Sequence, residues 1–301
     1  MSRIQRIKNE MTDLFKNPLD SDNIFYELDN DNIEILKVMM IGTKSTPYEN
    51  GFFFFSIRYP IEYPNVPPKV WYYTTHPKMR FNPNLYTTGK ICLSIINTWG
   101  TQDNWTSEMN TKSVLLSIQS MVLNENPLRN EPGLKLTDKT IENYNNVIYY
   151  CVFNIAILNN IINDCSNILE NNNKFQHISF ACFKDKIHKY FIDNIDWYIN
   201  RCKILHFKFK NTNVFFTYPY ERVTYICNYL QILQKFIELY EKFSDKKLPQ
   251  VFIHLDHINL NKLTIPKLKE LCKKNKIKNY SSKKKNQIID LILTKNEKII
   301  I

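Results

Sequence analysis

Residues 82–95, NPNLYTTGKICLSI, decide how the rest of the chain is interpreted. The Asn-Pro-Asn run and Gly89 predict a tight, ordered loop, and aliphatic residues flank Cys92. The carboxamide of Asn84 stands eight positions before that thiol. The pattern therefore predicts one thiol on an ordered loop beside a carboxamide, and a cysteine thiolate is a nucleophile. The alternative for a cysteine without such a context is a buried structural thiol.

Segments on both sides of this loop contain further recognisable motifs. Residues 63–71, YPNVPPKVW, contain three prolines, which predict a rigid loop that leads into a strand. The downstream features are Trp99, Trp105, a helical run over 111–123 and the segment 126–133, NPLRNEPG. Together these stretches resemble the catalytic core of ubiquitin-conjugating enzymes. They are most similar to the large subclass in which Asn-Pro-Asn precedes the cysteine and a helical extension follows the core.

The resemblance implies a reaction and its two central residues. Cys92 would accept ubiquitin or a ubiquitin-like modifier from an activating enzyme as a thioester and pass it to a substrate lysine, with no cofactor. Asn84 matches the essential Asn of the family and would stabilise the oxyanion. Asn82 occupies the position of the usual His, and we expect its role to be structural.

The resemblance also implies residues that approach the substrate lysine and the modifier. Ser94 lies where the family has Asp or Ser along the lysine channel. Glu131 is the first candidate, and Asn130 the second, for the residue that orients the lysine from the loop after the helix. Leu116 and Ser120 occupy the helix positions that hold donor ubiquitin in the family.

Contacts with other proteins of the pathway follow from the first helix and the loops. Ser2 and Gln5 form a capping-box pattern, and the basic face of this helix contains Arg3 and Arg6. In the family the matching helix binds the activating enzyme, whereas the alternative is a solvated basic face. The usual ligase-contact residues are replaced, so we expect direct choice of substrate proteins rather than binding to ordinary RING-type ligases.

Two alternatives of other classes stay open. One is a catalytically idle variant that binds ubiquitin and is tethered to nucleic acid. The other is a cysteine hydrolase, for which His76 is the only upstream histidine that could pair with Cys92. We predict no metal site, because Cys-x-x-Cys is absent and the pair formed by His254 and His257 is isolated.

The secondary-structure pattern predicts an α+β core. Aromatic and β-branched residues predict strands over 24–28, 33–41, 51–59 and 69–73 of an antiparallel sheet, with the terminal helices of the core covering one face. Apolar residues at helical spacing then predict an all-α extension that reaches about residue 243. The predicted domains are the conjugating core at 1–160, the extension at 161–250 and a basic module at 258–301.

The C-terminal module contains most of the excess charge. The chain has a net charge of +11, and residues 258–301 contain 12 lysines against three acidic residues. Two short amphipathic helices joined by a basic turn resemble a SAP motif, in which Ser281 or Ser282 replaces the usual Gly of the turn. This implies nucleic acid as a partner, and the alternative is a solvated Lys-rich tail. The candidate phosphate contacts are Lys267, Lys273, Lys274, Lys283, Lys284 and Lys285.

Composition limits the compartment. Seven cysteines, an odd number without framework spacing, are typical of a reducing compartment. The N-terminal residues are charged and lack the apolar stretch of a signal peptide. No run approaches the roughly 20 uncharged apolar residues of a membrane span. We therefore expect a protein of the cytoplasm or the nucleus with no membrane partner.

Overall fold

The fold is described from a computed structural model. The structure describes residues 2–100, 104–165, 178–209, 213–218, 221–246, 248, 263–274 and 277–294. The chain forms two compact units. The first contains residues 1–187 and 214–225, and the second contains residues 188–213 and 226–301.

Helix α1 (Arg3–Lys16) begins the first unit as predicted. The Ser2 hydroxyl accepts the backbone N–H of Gln5, which is one half of the capping box. The side chain of Gln5 instead donates to Asn9 at 2.8 Å. The apolar positions predicted from the helical spacing, including Ile7, Met11 and Leu14, are buried.

Four antiparallel strands form the sheet in the order β1 (Ile24–Leu28), β2 (Ile35–Ile41), β3 (Phe52–Arg58) and β4 (Lys69–Tyr72). Each strand pairs with the next along the chain. The predicted strands are confirmed within two residues at each end. The proline-rich loop between β3 and β4 includes a cis peptide bond at Tyr63–Pro64.

The sheet is covered on both faces, although the sequence predicted cover on one. Six of the seven residues of β3 are buried. The ring of Phe180 lies 5.0 Å from the rings of Phe54 and Tyr73, and the Lys186 ammonium lies 4.1 Å from the ring of Phe25. Residues 178–187 of the extension therefore cover the face that the core helices leave open. The run of four phenylalanines at 52–55 fits a strand buried on both sides.

Helices cover the opposite face. Helix α2 (Thr111–Ser117) continues through a π-helical stretch, Ile118–Val122, and confirms the helix predicted at 111–123. Helix α3 (Asp138–Cys151) continues through Val152–Asn159 and Asn160–Ile162.

Among the described residues, one helix is long and apolar enough to cross a membrane, Asp138–Ile162. Length and composition alone give that result, and 61% of its apolar window is buried inside the protein. The amide of Asn160 donates to the carbonyl of Phe52 in β3 at 3.0 Å. Tyr144, Val147 and Ile148 are at most 1% exposed. These contacts are those of a core helix packed on the sheet.

The extension is mostly helical, but it is not all-α. It contains α4 (Lys184–Asp193), α5 (Ile195–Phe209) and α6 (Tyr229–Ser244). Between α5 and α6 a two-stranded hairpin, β5 (Asn213–Tyr218) and β6 (Glu221–Ile226), replaces the helix expected there. Both strands are rich in aromatic and β-branched residues, which favour a strand over a helix.

The C-terminal module consists of α7 (Ile265–Lys274) and α8 (Lys285–Thr294). Its small core contains Leu268, Cys272, Ile277, Ile288, Ile289 and Ile292, each at most 5% exposed. Ile204 and Phe207 of α5 pack against this cluster. The described part of the module and the end of α5 thus belong to one hydrophobic core, in the second compact unit.

A buried carboxylate joins three parts of the first unit. Glu10 of α1 is 9% exposed and accepts the Arg6 Nε–H at 2.5 Å and the Tyr63 hydroxyl at 2.6 Å. Its second oxygen accepts the backbone N–H and the hydroxyl of Thr111 at 2.8 and 2.7 Å. The contact with the Glu10 carboxylate and the burial of Tyr63 both raise the pKa of Tyr63, and burial is the larger cause. Glu10 therefore anchors α1 to the proline-rich loop and to the start of α2.

We expect Glu10→Ala to lower the free energy of unfolding by about 3 kcal/mol, because buried donors and a charged partner lose their acceptor. The measurement is the urea denaturation midpoint of the purified protein. Asp13→Ala is the matched control, since Asp13 is an exposed carboxylate on the same helix. Equal midpoints for the two variants would contradict the role of Glu10.

Candidate active site

The loop that contains Asn84 and Cys92 is a short hairpin in the first unit. Leu85 pairs with Ile91, and the Cys92 N–H donates to the Asn84 carbonyl at 2.9 Å. Gly89 permits the turn because its φ is +86°, and a Cβ there would lie 2.7 Å from the Tyr72 carbonyl oxygen. The spacing of eight residues thus places Asn84 and Cys92 side by side across the hairpin.

Asn84 is 7% exposed, and its carboxamide points toward Cys92. Its Nδ2 donates to the backbone carbonyl of Cys92 at 2.6 Å. Its Oδ1 accepts an N–H of Asn130 at 2.9 Å. The hydrogen bonds of Asn84 therefore join the cysteine hairpin to the loop that follows α2.

Asn82 stabilises the same hairpin from inside the core, where it is fully buried. Its Oδ1 accepts the Asn84 N–H, and its Nδ2 donates to the Val122 carbonyl, both at 2.8 Å. These bonds are those of a structural residue, which fits the role expected where the family has His.

Cys92 is 5% exposed, while Asn84 and the two residues after Cys92 line a groove beside it. The groove has a volume of about 360 Å³. Its lining residues are Asn84, Leu93, Ser94, Trp99, Met121, Asn124 and Asn130. No ionisable side chain is among the described residues that line it. Trp99 and Met121 are 37% and 49% exposed, so the groove presents apolar surface next to amide groups.

The hydroxyl of Tyr86 is a neighbour of the Cys92 thiol. Hydrogen bonding to that thiol raises the pKa of Tyr86, and partial burial adds to the effect. The Arg80 guanidinium lies 4.0 Å from the centre of the Tyr86 ring and acts on this pKa in the opposite direction. No pattern in the sequence predicts a role for Tyr86, because its contact with Arg80 depends on the fold.

The structure brings three of the four residues predicted at the catalytic centre together. Cys92, Asn84 and Ser94 lie at the groove or directly beside it. Glu131 is half-buried and is not among the lining residues, whereas Asn130, the second candidate, is. The catalytic roles stay predictions, and Asn130 is the member of this pair that contacts Asn84.

Of the residues predicted to bind the modifier, Leu116 lies in α2 and Ser120 in the π-helical stretch that continues it. Leu116 is half-buried and Ser120 is exposed, with the Ser120 hydroxyl donating to the Leu116 carbonyl at 2.8 Å. Their role in binding stays a prediction.

The two arginines predicted to bind the activating enzyme are engaged within the first unit. Arg3 forms an ion pair with Glu34 and donates to the Tyr59 carbonyl at 3.0 Å. Arg6 bonds to Glu10 and to the Met109 carbonyl. Their side chains remain 21% and 24% exposed, so a partner would contact only part of each guanidinium.

His76 is not hydrogen-bonded to Cys92 in the described part of the chain. Its Nδ1 accepts the Lys78 N–H and lies 3.2 Å from the Tyr225 hydroxyl. Burial lowers the pKa of His76, and the charge of Lys78 lowers it further. The cysteine hydrolase interpretation thus lacks its His–Cys bond. No group of three or more potential metal-binding residues is found among the described residues.

The lysines predicted to contact phosphate lie on the described part of the C-terminal module. Lys267, Lys273 and Lys284 are exposed, and Lys283 and Lys285 are half-buried. Lys274 is the last residue of α7, and its side chain lies outside the described part of the structure.

Comparison with known proteins decides the family of the core. A family model described as ubiquitin-conjugating enzyme matches residues 6–151, which contain the sheet, the cysteine hairpin, α2 and α3. Residues 6–151 are a ubiquitin-conjugating enzyme domain. A second model, the N-terminal domain of Rho termination factor, matches residues 259–298.

Relatives of the ubiquitin-conjugating domain occur in several organisms. The putative ubiquitin-conjugating enzyme E2 38 of Arabidopsis thaliana is 43% identical over 40% of this chain and 37% of that protein. Ubiquitin-conjugating enzyme E2 Z of Danio rerio is 40% identical over 51% of this chain and 47% of that protein. The human dual E2 ubiquitin-conjugating enzyme/E3 ubiquitin-protein ligase BIRC6 is 34% identical over 68% of this chain and 4% of that protein.

The chain spans less than half the length of each of these relatives. A crystal structure of a ubiquitin-conjugating enzyme E2 from Plasmodium falciparum is 30% identical, with a TM-score of 0.35. The similarity covers 40% of this chain and 97% of the chain in that structure.

Proposed function

We propose that this protein is an active ubiquitin-conjugating enzyme. Cys92 accepts ubiquitin or a ubiquitin-like modifier from an activating enzyme and transfers it to a lysine of a substrate protein. The observation that carries the proposal is the 2.6 Å bond from the Asn84 amide to the Cys92 carbonyl, beside a groove. It supports the proposal because Asn84, which matches the essential Asn of the family, has an N–H donor next to Cys92 within the matched domain.

The reaction consists of two acyl transfers. In the first, the Cys92 thiolate attacks the thioester on the activating enzyme, whose own thiolate leaves. In the second, a neutral lysine amine attacks the carbonyl of the thioester on Cys92. The tetrahedral oxyanion then collapses, the C–S bond breaks, the thiolate leaves and the amine proton passes to solvent.

Asn84 stabilises the oxyanion of the second step. A carboxamide nitrogen carries two hydrogens, and the Cys92 carbonyl accepts one of them. The second hydrogen is the donor we assign to the oxyanion. Because Cys92 is mostly buried, the modifier's C-terminus approaches the sulfur from the groove.

The remaining roles follow from the family resemblance and from position. Ser94 lines the path of the lysine, and Glu131, which is half-buried, orients the lysine from the loop after α2. Leu116 and Ser120 hold the donor modifier. The exposed parts of Arg3 and Arg6 contribute to binding the activating enzyme.

We also infer membership of the large subclass with Asn-Pro-Asn and a helical extension. Similarity to the human relative covers 217 residues, more than the family model does, which supports a shared region beyond the core. Residues 178–187 of the extension pack on the sheet, and we infer that the extension contributes to choosing substrate proteins directly. The division into a core at 1–160, an extension at 161–250 and a basic module at 258–301 is part of this proposal. All seven cysteines are free, which supports the cytoplasm or the nucleus.

The test of the conjugating activity is a charging assay. The protein is incubated with activating enzyme, ATP and each of a panel of modifiers, and adducts are separated with and without a reducing agent. We expect a thiol-sensitive adduct with at least one modifier. If no modifier charges the protein, the active enzyme is excluded and the idle ubiquitin-binding variant is favoured.

For the C-terminal module we propose binding of nucleic acid through its phosphates. Lys283, Lys284 and Lys285 lie together at the start of α8, where helix N–H groups also favour phosphate. The similarity to the SAP motif and the matching Rho model support this assignment. Since Ile204 and Phe207 complete the core of the module, the full chain is the proper protein for the test.

We expect a gel shift of the full chain with duplex DNA or single-stranded RNA that weakens steeply as salt increases. Replacing Lys283, Lys284 and Lys285 by Ala lowers the slope of log affinity against log salt by about 1 for each phosphate that the variant no longer neutralises. The control with the same loss of charge replaces the exposed Lys189, Lys235 and Lys242. Equal slopes for the two triple variants would leave the tail as a solvated segment.

A further inference from the structure

Three asparagines form a connected chain of amides behind the nucleophile. The Asn130 Nδ2 donates to the Asn84 Oδ1 at 2.9 Å and to the Met121 carbonyl at 2.7 Å, and lies 3.4 Å from the Asn82 Oδ1. The Asn84 Nδ2 in turn donates to the Cys92 carbonyl at 2.6 Å. The bonds therefore run in one direction, from the loop after α2 to the nucleophile residue.

Backbone groups at both ends fix that direction. The carbonyls of Met121 and Cys92 can only accept, so each must face an amide NH₂ rather than an amide oxygen. The Asn130 Nδ2 that donates to the Met121 carbonyl also donates to the Asn84 Oδ1, so the Asn84 amide presents its oxygen to Asn130. A carboxamide rotated by 180° keeps its shape, so its partners alone select the orientation.

We propose that Asn130 is a positioning residue that holds the amide of Asn84 with its N–H groups toward the thioester. The inference rests on the proposed conjugating function and gives Asn130 a role other than contact with the lysine. The feature of Asn130 that this role requires is the side-chain N–H that it donates to Asn84.

The variant Asn130→Asp separates this role from that of a lysine-orienting residue. A carboxylate in the groove would attract the lysine ammonium, so a lysine-orienting role predicts equal or faster transfer. In the amide chain, the same carboxylate places an oxygen against the Asn84 Oδ1. The Asn84 amide is then expected to rotate its N–H groups to the carboxylate and away from Cys92.

The experiment is single-turnover discharge of the charged enzyme to free lysine at about pH 8, after the activating enzyme has been stopped. We expect Asn130→Asp to be charged to the wild-type extent and discharged about 10- to 100-fold more slowly, since one donor is displaced. The loss appears in the rate at saturating lysine and not in the lysine concentration for half-maximal rate. The control Asn126→Asp changes discharge less than about twofold.

Asn126 is a close match for that control. It lies in the same loop, it is exposed, and the exchange adds the same charge with the same shape. Its side chain makes no capping bond to the short helix that follows it.

A second measurement uses pH. With an alkoxyamine as the nucleophile, which remains unprotonated in mild acid, discharge is followed down to about pH 5. The introduced carboxyl would face the Met121 carbonyl and the Asn84 and Asn82 amide oxygens, which favours its protonated form above the usual Asp pKa of about 3.9. The deficit of Asn130→Asp is therefore expected to shrink toward pH 5, because a protonated carboxyl can donate to the Asn84 oxygen. A general structural defect would not recover with acid.

The outcomes separate the inference from the proposed function. A wild-type protein that accepts no modifier overturns both. A charged Asn130→Asp that discharges as fast as the wild type overturns the inference and leaves the enzyme intact. If Asn130→Asp cannot be charged, Asn130→Ala replaces it. That variant removes the donor without adding charge, and an undiminished rate would again overturn the inference.

Discussion

Cys92→Ser is expected to abolish the thiol-sensitive adduct completely. The serine hydroxyl can still accept the modifier, but the product is an oxyester that resists reducing agents and is cleaved by base. Loading is slower, because a hydroxyl without an adjacent base is a far weaker nucleophile than a thiol. Discharge to lysine is expected to fall by about 100-fold or more, because an alkoxide is a poor leaving group.

The measurement is the charging assay with samples split between reducing agent and mild base. Cys182→Ser is the matched control, since Cys182 is the exposed free cysteine of the chain and the other six are buried. The control should charge and discharge like the wild type. A thiol-sensitive adduct on Cys92→Ser would show that another cysteine carries the modifier. Loss of the adduct in Cys182→Ser would identify Cys182 as that cysteine.

The parts of the fold that the sequence predicted are those set by local patterns. The Ser2 cap and the apolar spacing define α1, and aromatic and β-branched residues define the strands within two residues. The hairpin β5–β6 was missed because neighbouring helical patterns were extended through it. The sequence did not predict that residues 178–187 cover the second face of the sheet. That cover depends on contacts such as the one between Phe180 and Phe54 of β3, which are far apart in the sequence.

In the candidate site too, the sequence predicted the local features and missed the long-range contacts. Asn84 and Cys92 are eight residues apart on one hairpin, so their spacing and the glycine between them are visible in the sequence. The bond from Asn130 to Asn84 joins residues 46 positions apart, and only the packing of the loop after α2 on the hairpin creates it. The sequence named Glu131 first and Asn130 second in this loop for orienting the lysine, and it gave no sign of the bond from Asn130 to Asn84.

The importance of the Asn84 donor leads to the second large effect. Asn84→Asp keeps an oxygen that can accept from Asn130 and removes both N–H groups that face Cys92. We expect single-turnover discharge to lysine to slow by about 10²- to 10³-fold, which corresponds to about 3–4 kcal/mol of lost transition-state stabilisation. The end point of charging is expected to be retained, because a thiolate attacks a thioester more readily than an amine does.

Asn84→Ala tests the same donor without the added charge and should show a loss of similar size. Asn126→Ala serves as the control in the neighbouring loop, and the thermal midpoint of each variant reports on folding. If either Asn84 variant discharged within about tenfold of the wild type, the oxyanion would have to depend on other donors. The backbone N–H of Ser94 would then be the next candidate, because Ser94 lines the groove whereas the Leu93 N–H already donates to the Thr98 hydroxyl at 2.9 Å.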